Sequence, residues 1–378
     1  MPIMHDVRGR NNKDHPISNL TGRAGGLSLF AAGSKIAAAG LFCYNKLIMD
    51  KVIDIVLVTY RPDGRLPDIL RMLREQKMPP RQVHLINTEK SLFDEALSAL
   101  GTDEQKLCRQ YPFLDIIHIR KQEFDHAGTR NLGMQRCSGA DFVCMMTQDA
   151  VPADEELLPA LAGGLCEDEK IAVAYARQIP AANASAAERF SRSFNYPEKS
   201  SVKTQQDFAR LGIRTYFCSD VCAMYRKQIF DELGGFSEPS IFNEDMVFAG
   251  TALQHGYAIR YEAEARVVHS HNYGAMTQLR RNFDLGVSQA DHPEIFAGAK
   301  SEGEGARYVR ETLTYLRENG AAREIPVFLY RCAFRLTGYR LGKAYQRLPA
   351  SVRLHLTSNK EYWKNPAKPG AQKTGKHK

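Results

Sequence analysis

The 378-residue chain has no uninterrupted apolar run long enough to cross a bilayer. Its best stretch, residues 27–48, is broken by Lys35, Asn45, Lys46 and several glycines, short of the ~18 apolar residues that a span needs. No clean apolar core and cleavage site follow the basic start, which excludes an ordinary secretory signal. The 8 cysteines show no paired metal-ligand spacing, so reduced, mostly buried thiols are expected. No Gly-rich basic loop follows the first apolar run, where Thr59-Tyr-Arg-Pro62 stands instead; this argues against a nucleotidyltransferase phosphate loop. Acid is scarce at the C-terminus: residues 321–378 hold 13 Lys/Arg against 2 Asp/Glu, so the net charge of +8 resides there and the body is slightly acidic. Such a region suits an anionic surface, membrane or nucleic acid, or a solvated tail. Its basic residues crowd a terminus rather than an ordered face among stacking aromatics, which argues against nucleic acid.

From Val52 the chain alternates apolar, β-branched runs (52–60, 82–87, 113–119, 141–147) with stretches of helical spacing (66–76, 92–100, 127–137). Near-continuous apolar strands alternating with helices predict an α/β fold with a mostly parallel, doubly wound sheet. After Asp149 the spacing predicts a helix (154–165), a strand (171–177), a polar irregular stretch to about Gly212, the run 216–225 and a last strand region, 257–268. Residues 326–348 read as a basic amphipathic helix carrying Arg331, Arg335, Arg340, Lys343 and Arg347; it suits a membrane surface or docking on the domain equally well.

In a parallel sheet, ligands bind beyond the carboxyl ends of the strands. Thr59, Tyr60 and Arg61 end the first strand, Asn87 and Glu89 the second, and Gln148 and Asp149 the fourth. Gly128 and Thr129 open a helix whose free N–H groups would favour phosphate, and Arg130 offers a fixed cationic fork for a diphosphate. Asp149 is a hard oxygen suited to Mg²⁺ or Mn²⁺, and His269 and His271 are candidate further contacts. The triplet Asn243-Glu-Asp245 follows the turn Leu233-Gly-Gly-Phe236 and opens a helix. Capping alone would place such residues there, but a carboxylate at that point also suits a general base.

Taken together, Asp125-His-Ala-Gly-Thr-Arg-Asn131, Thr147-Gln-Asp-Ala-Val-Pro152, Asn243-Glu-Asp-Met246 and Val268-His-Ser-His-Asn272 resemble family 2 glycosyltransferases of GT-A fold. Phe194-Asn-Tyr-Pro197 and Phe283-Asp-Leu-Gly-Val287 narrow the resemblance to bacterial rhamnosyltransferases, over about 52–363. The resemblance implies an inverting transfer of L-rhamnose from dTDP-β-L-rhamnose to a lipid-linked saccharide in surface polysaccharide assembly. The enzyme would be cytoplasmic and peripheral at the inner membrane face, touching it through the basic C-terminal region. A UDP-hexose or UDP-N-acetylhexosamine donor stays open.

By the same resemblance, Asp245 is the base, with Asn243 and Glu244 on the acceptor side. Thr59 and Tyr60 border the nucleotide base, and Arg130 holds the diphosphate. Asp149 stands for an Asp-x-Asp metal motif reduced to one carboxylate, with His269 or His271 adding a contact to metal or diphosphate. The expected division is an unstructured extension or mis-called start (1–48, with Met49 the natural start), a GT-A domain (49–300, nucleotide half to about 150), a helical region (301–348) and a basic, partly disordered tail (349–378).

Overall fold

The computed structural model describes residues 48–271, 273–298 and 302–364. The expectations for the N-terminal extension, Ile48 apart, and for residues 365–378 lie outside the described residues.

The first half follows the predicted alternation. β1 (Ile53–Thr59), α1 (Arg65–Arg74), β2 (Gln82–Thr88), α2 (Lys90–Ala99), α3 (Glu104–Gln110), β3 (Leu114–Ile119), α4 (His126–Arg136) and β4 (Phe142–Thr147) succeed one another. Ile55, Val56 and Leu57 are fully buried, as a strand covered on both faces requires. The helix α4 lies so close to β1 that a Cβ on Gly133 would come within 2.3 Å of Val56 Cγ1.

The second half comprises β5 (Val151–Pro152), α5 (Leu157–Cys166), β6 (Ile171–Ile179), α6 (Ala186–Asn195), β7 (Ser201–Lys203), β8 (Cys222–Arg226), α7 (Lys227–Glu232), α8 (Glu244–Gln254) and β9 (Ala258–Val268). Along the sheet the order is β3-β2-β1-β4-β8-β6-β9-β5, with β7 also paired to β9. Pairing is parallel from β3 to β4. Beyond β4 the sheet is mixed: β8 runs antiparallel to both β4 and β6, β6 and β9 are parallel, and β5 and β7 run antiparallel to β9. The run of successive parallel strands therefore belongs to the first half, while beyond β4 only the β6–β9 pair is parallel among the described strands. The antiparallel β8 has a consequence for function, since its start lies at the same rim as the end of β4, with Cys222 opposite Met146.

The stretch expected to be irregular up to Gly212 contains α6, whose Ser185 hydroxyl accepts from Glu188 N at 3.2 Å as an N-cap. The chain then continues through α9 (Ala275–Asp291), α10 (Glu302–Glu318), α11 (Ile325–Lys343) and α12 (Ala350–Leu356). The basic helix docks on the domain. A Cβ on Gly338 would sit 2.1 Å from Leu279 O, and one on Gly342 2.1 Å from Phe283 O, so α11 and α9 touch backbone to backbone. Residues 349–364, the first part of the basic tail, pack on the domain: Tyr362 is buried against Phe283, Val287 and Tyr345.

Candidate active site

The carboxyl ends of β1 and β4, the start of β8 and the N-terminus of α8 enclose one cavity of about 1540 Å³. It brings together Thr59, Tyr60, Gln148, Asp149, His269 and His271 with Asn243, Glu244 and Asp245.

At one wall Asp149 accepts from Thr147 Oγ1 at 2.6 Å. His271 Nε2 lies 2.9 Å and His269 Nε2 3.6 Å from Asp149 Oδ2. Burial works against the charge on Asp149, but the two imidazoles and Thr147 outweigh it and hold the carboxyl well below its ordinary range. His269 is buried, and its Nδ1 lies 2.7 Å from Gln178 Oε1. Arg192 Nη1 donates to the same oxygen at 2.5 Å, so that amide oxygen is an acceptor and His269 Nδ1 must carry the hydrogen. Two imidazoles and a carboxylate whose donor atoms lie within 4.8 Å of one another fit a divalent cation. Gln178 fixes one ring from behind, as outer partners of metal-binding histidines do.

In the same cavity Asp245 sits in the first turn of α8. Its Oδ2 accepts from Asp220 N at 3.1 Å and its Oδ1 from Met246 N at 2.7 Å. Asn243 occupies the N-cap position with φ +71° but makes no side-chain cap, so capping does not account for the triplet. The helix is positioned from below by aromatic packing. The turn at Gly234 and Gly235, with φ of +80° and +76°, drops Phe236 beside Phe230 (4.9 Å between centroids), and Phe230 stacks on Phe248 of α8 at 5.1 Å.

Arg130 is not free to hold a diphosphate. Its Nη1 lies 2.9 Å from Glu244 Oε1 and its Nε 3.1 Å from Asp220 Oδ2, and all three side chains are buried. Glu244 therefore anchors α8 to α4. Three carboxylates around one guanidinium leave more negative charge than the interior tolerates, so protons stay bound. Burial, and then the charge on Glu244, push Asp245 up to about 7 against the opposing pull of two N–H groups and Arg130. Asp220 is pushed well above the ordinary range by burial first; Arg130 opposes this, while Asp245 and Glu244 add to it. Asp245 can therefore release a proton near neutrality.

Other expected contacts do not converge here. Gly128 N is taken by Asp125 Oδ1 at 2.9 Å, so the start of α4 offers no phosphate cradle there. Asn87 is fully buried, accepts from Thr59 Oγ1 at 3.2 Å and lies 3.0 Å from His118 Nδ1. Glu89, at the N-cap of α2, accepts from Lys121 N; neither Asn87 nor Glu89 lines the cavity. Arg61 also lies outside the lining, with φ +50°. Gln148 clamps the backbone of Tyr60, accepting from its N at 2.8 Å and donating to its O at 2.9 Å.

Two further residues at the site, Asp220 and Arg281, carry no signal in local sequence pattern. Asp220 stands at the start of β8, and only the antiparallel turn of that strand brings it to the rim. Arg281 of α9 lines the cavity, with its guanidinium 5.1 Å from the Phe242 ring centroid and 5.0 Å from that of Tyr273. Among the described residues it has no carboxylate partner.

Comparison with known proteins agrees with this architecture. The Glycosyl transferase family 2 profile matches residues 54–234. An O-antigen chain rhamnosyltransferase, RfbN of Salmonella typhimurium, is 36% identical over 83% of this chain and 96% of its own length. A second, WbaN of Salmonella anatum, is 39% identical over 71% of this chain and 85% of its own length. Among solved structures, a Pyrobaculum calidifontis mannosyltransferase in complex with GDP-Man and Mn²⁺ superposes with a TM-score of 0.50 at 14% identity, covering 83% of this chain and 97% of that one. The chain belongs to glycosyl transferase family 2 and is a glycosyltransferase of GT-A fold.

Proposed function

We propose that the protein is an inverting rhamnosyltransferase. It moves L-rhamnose from dTDP-β-L-rhamnose to a lipid-linked saccharide during assembly of a surface polysaccharide. The names of the two Salmonella relatives support the sugar and the pathway. The observation that carries the chemistry is the pairing of walls: a base poised near neutrality at Asp245 shares one cavity with the Asp149–His269–His271 cluster.

The acceptor hydroxyl oxygen attacks the anomeric carbon, the bond from that carbon to the diphosphate oxygen breaks, and the hydroxyl proton passes to Asp245. A base of this kind contributes ~10²–10⁴-fold. Asp149, His269 and His271 would hold a divalent ion, which when bound neutralises charge on the departing diphosphate. The mixed nitrogen and oxygen donors favour Mn²⁺ over Mg²⁺, which prefers oxygen alone. Arg281, kept on two aromatic faces, would meet the same diphosphate in place of Arg130. Tyr60 borders the nucleotide, its backbone set by Gln148.

No helix among the described residues is long and apolar enough to cross a membrane. Leu329 and Leu336 of α11 are nevertheless solvent-exposed and share a helix face with the exposed, basic Arg340. That face supports peripheral contact with the inner face of the cell membrane. A donor panel tests the whole reading by measuring nucleoside diphosphate release with and without chelator. Release from dTDP-rhamnose that stops with chelator is the expected result; release from UDP-sugars alone would overturn the choice of sugar.

A further inference from the structure

The cavity is larger than one nucleotide sugar needs. At about 1540 Å³ it exceeds the ~300–1,000 Å³ of ordinary small-molecule pockets. The lining also takes in α10 and α11, where Val309, Leu313 and Leu336 make an apolar wall and Arg310 and Arg317 line the same space. These two arginines lie seven residues apart, two helical turns, so they share a face of α10 with Leu313 between them. Their neighbours Arg214 and Arg307 are paired with Glu304 or Glu311. Among the described residues Arg310 and Arg317 have no carboxylate partner. Leu336 lines the cavity and is also 46% exposed, so the apolar wall runs out onto the exposed face of α11. Glycine contacts with α9 fix α11 in place, and α9 also carries Arg281 into the cavity.

We infer that the groove between α10 and α11 binds the diphosphate–lipid end of the acceptor: Arg310 and Arg317 take the diphosphate, and Leu313 and Leu336 take the first part of the hydrocarbon chain. The inference rests on the lipid-linked acceptor proposed above. The charge fits, since two arginines without carboxylate partners beside an apolar wall suit an anionic head joined to an apolar tail. The position fits as well, because the groove opens into the cavity beside the base that must receive the acceptor hydroxyl.

The test is calorimetric titration of the full chain with farnesyl diphosphate, with dTDP and Mn²⁺ present in excess to fill the donor side. The wild type should bind it, and should bind farnesol and inorganic pyrophosphate more weakly. Removing two charge-assisted contacts in Arg310→Ala/Arg317→Ala should weaken farnesyl diphosphate by about tenfold or more. Arg310→Lys/Arg317→Lys should recover part of the loss. Arg323→Ala, an exposed change outside the cavity, should leave binding as in the wild type. Absence of binding by the wild type, equal binding by the double alanine variant, or equal weakening by Arg323→Ala would each overturn the inference. Failure of the rhamnosyltransferase reading would show separately, as no release from dTDP-rhamnose in the donor panel, and would leave the titration readable.

Discussion

Arg130 and Glu244 form a 2.9 Å ion pair inside the protein, joining α4 to the helix that carries Asp245. Asp220 completes the cluster at 3.1 Å from the same guanidinium. An arginine that reads as a diphosphate clamp is thus a strut beneath the base. Arg130→Ala leaves two buried carboxylates without their cation, and breaking such a pair costs ~3–5 kcal/mol. Chemical denaturation should show a loss of that order. A fall in dTDP affinity with unchanged stability would return Arg130 to the donor site.

Asp245→Asn should lower turnover by ~10²–10⁴-fold while dTDP binding stays near the wild-type level. The pH dependence follows from the raised carboxyl. With its pKa pushed up to about 7, Asp245 is protonated below that pH and cannot accept a proton, so kcat/KM should fall as pH drops through about 7 and level off above it. An acidic limb near the ordinary carboxylate range would place the base elsewhere.

Where the sequence was legible and where it was not has a physical pattern. β1, β2 and β4 are legible because strands buried on both faces are mostly apolar, and Val56, Val83 and Val143 are fully buried; the half-buried edge strand β3 still shows its Leu114, Ile116, Ile117 and Ile119. Asp149, His269 and His271 were visible because metal-suited side chains at strand ends announce themselves by type. The helix α6 escapes a reading by composition: Ala186, Phe190 and Phe194 do share one face, but that stripe is short and set among Arg189, Arg192 and two serines. Gly128 and Arg130 were misread because sequence shows which donors exist, not which are already engaged; Asp125 takes the one and Glu244 with Asp220 the other. Asp220 depends on strand direction, and Arg281 on how α9 crosses the cavity, neither of which local pattern encodes.

Chelator should abolish nucleoside diphosphate release, with Mn²⁺ restoring more activity than Mg²⁺. The outer partner offers a sharper check than the ligands themselves. Gln178→Leu removes the acceptor that fixes His269, and such losses typically cost ~10–100-fold in metal affinity. A manganese titration followed by release rate should show that rise in the concentration needed. An unchanged titration would remove His269 from the metal site.

Arg281→Ala should impair use of the donor, through KM, kcat or both. Loss of a hydrogen bond to a charged group costs ~1.5–3 kcal/mol, so a drop of about tenfold or more in kcat/KM for dTDP-rhamnose is expected. Arg281→Lys should recover only part of it, because an ammonium cannot reproduce the planar fork that rests between Phe242 and Tyr273. Stability should change little, since the guanidinium has no carboxylate partner among the described residues to orphan. This separates the variant from Arg130→Ala, whose loss lies in folding. Normal kinetics in Arg281→Ala would leave the diphosphate charge to the Asp149 wall alone.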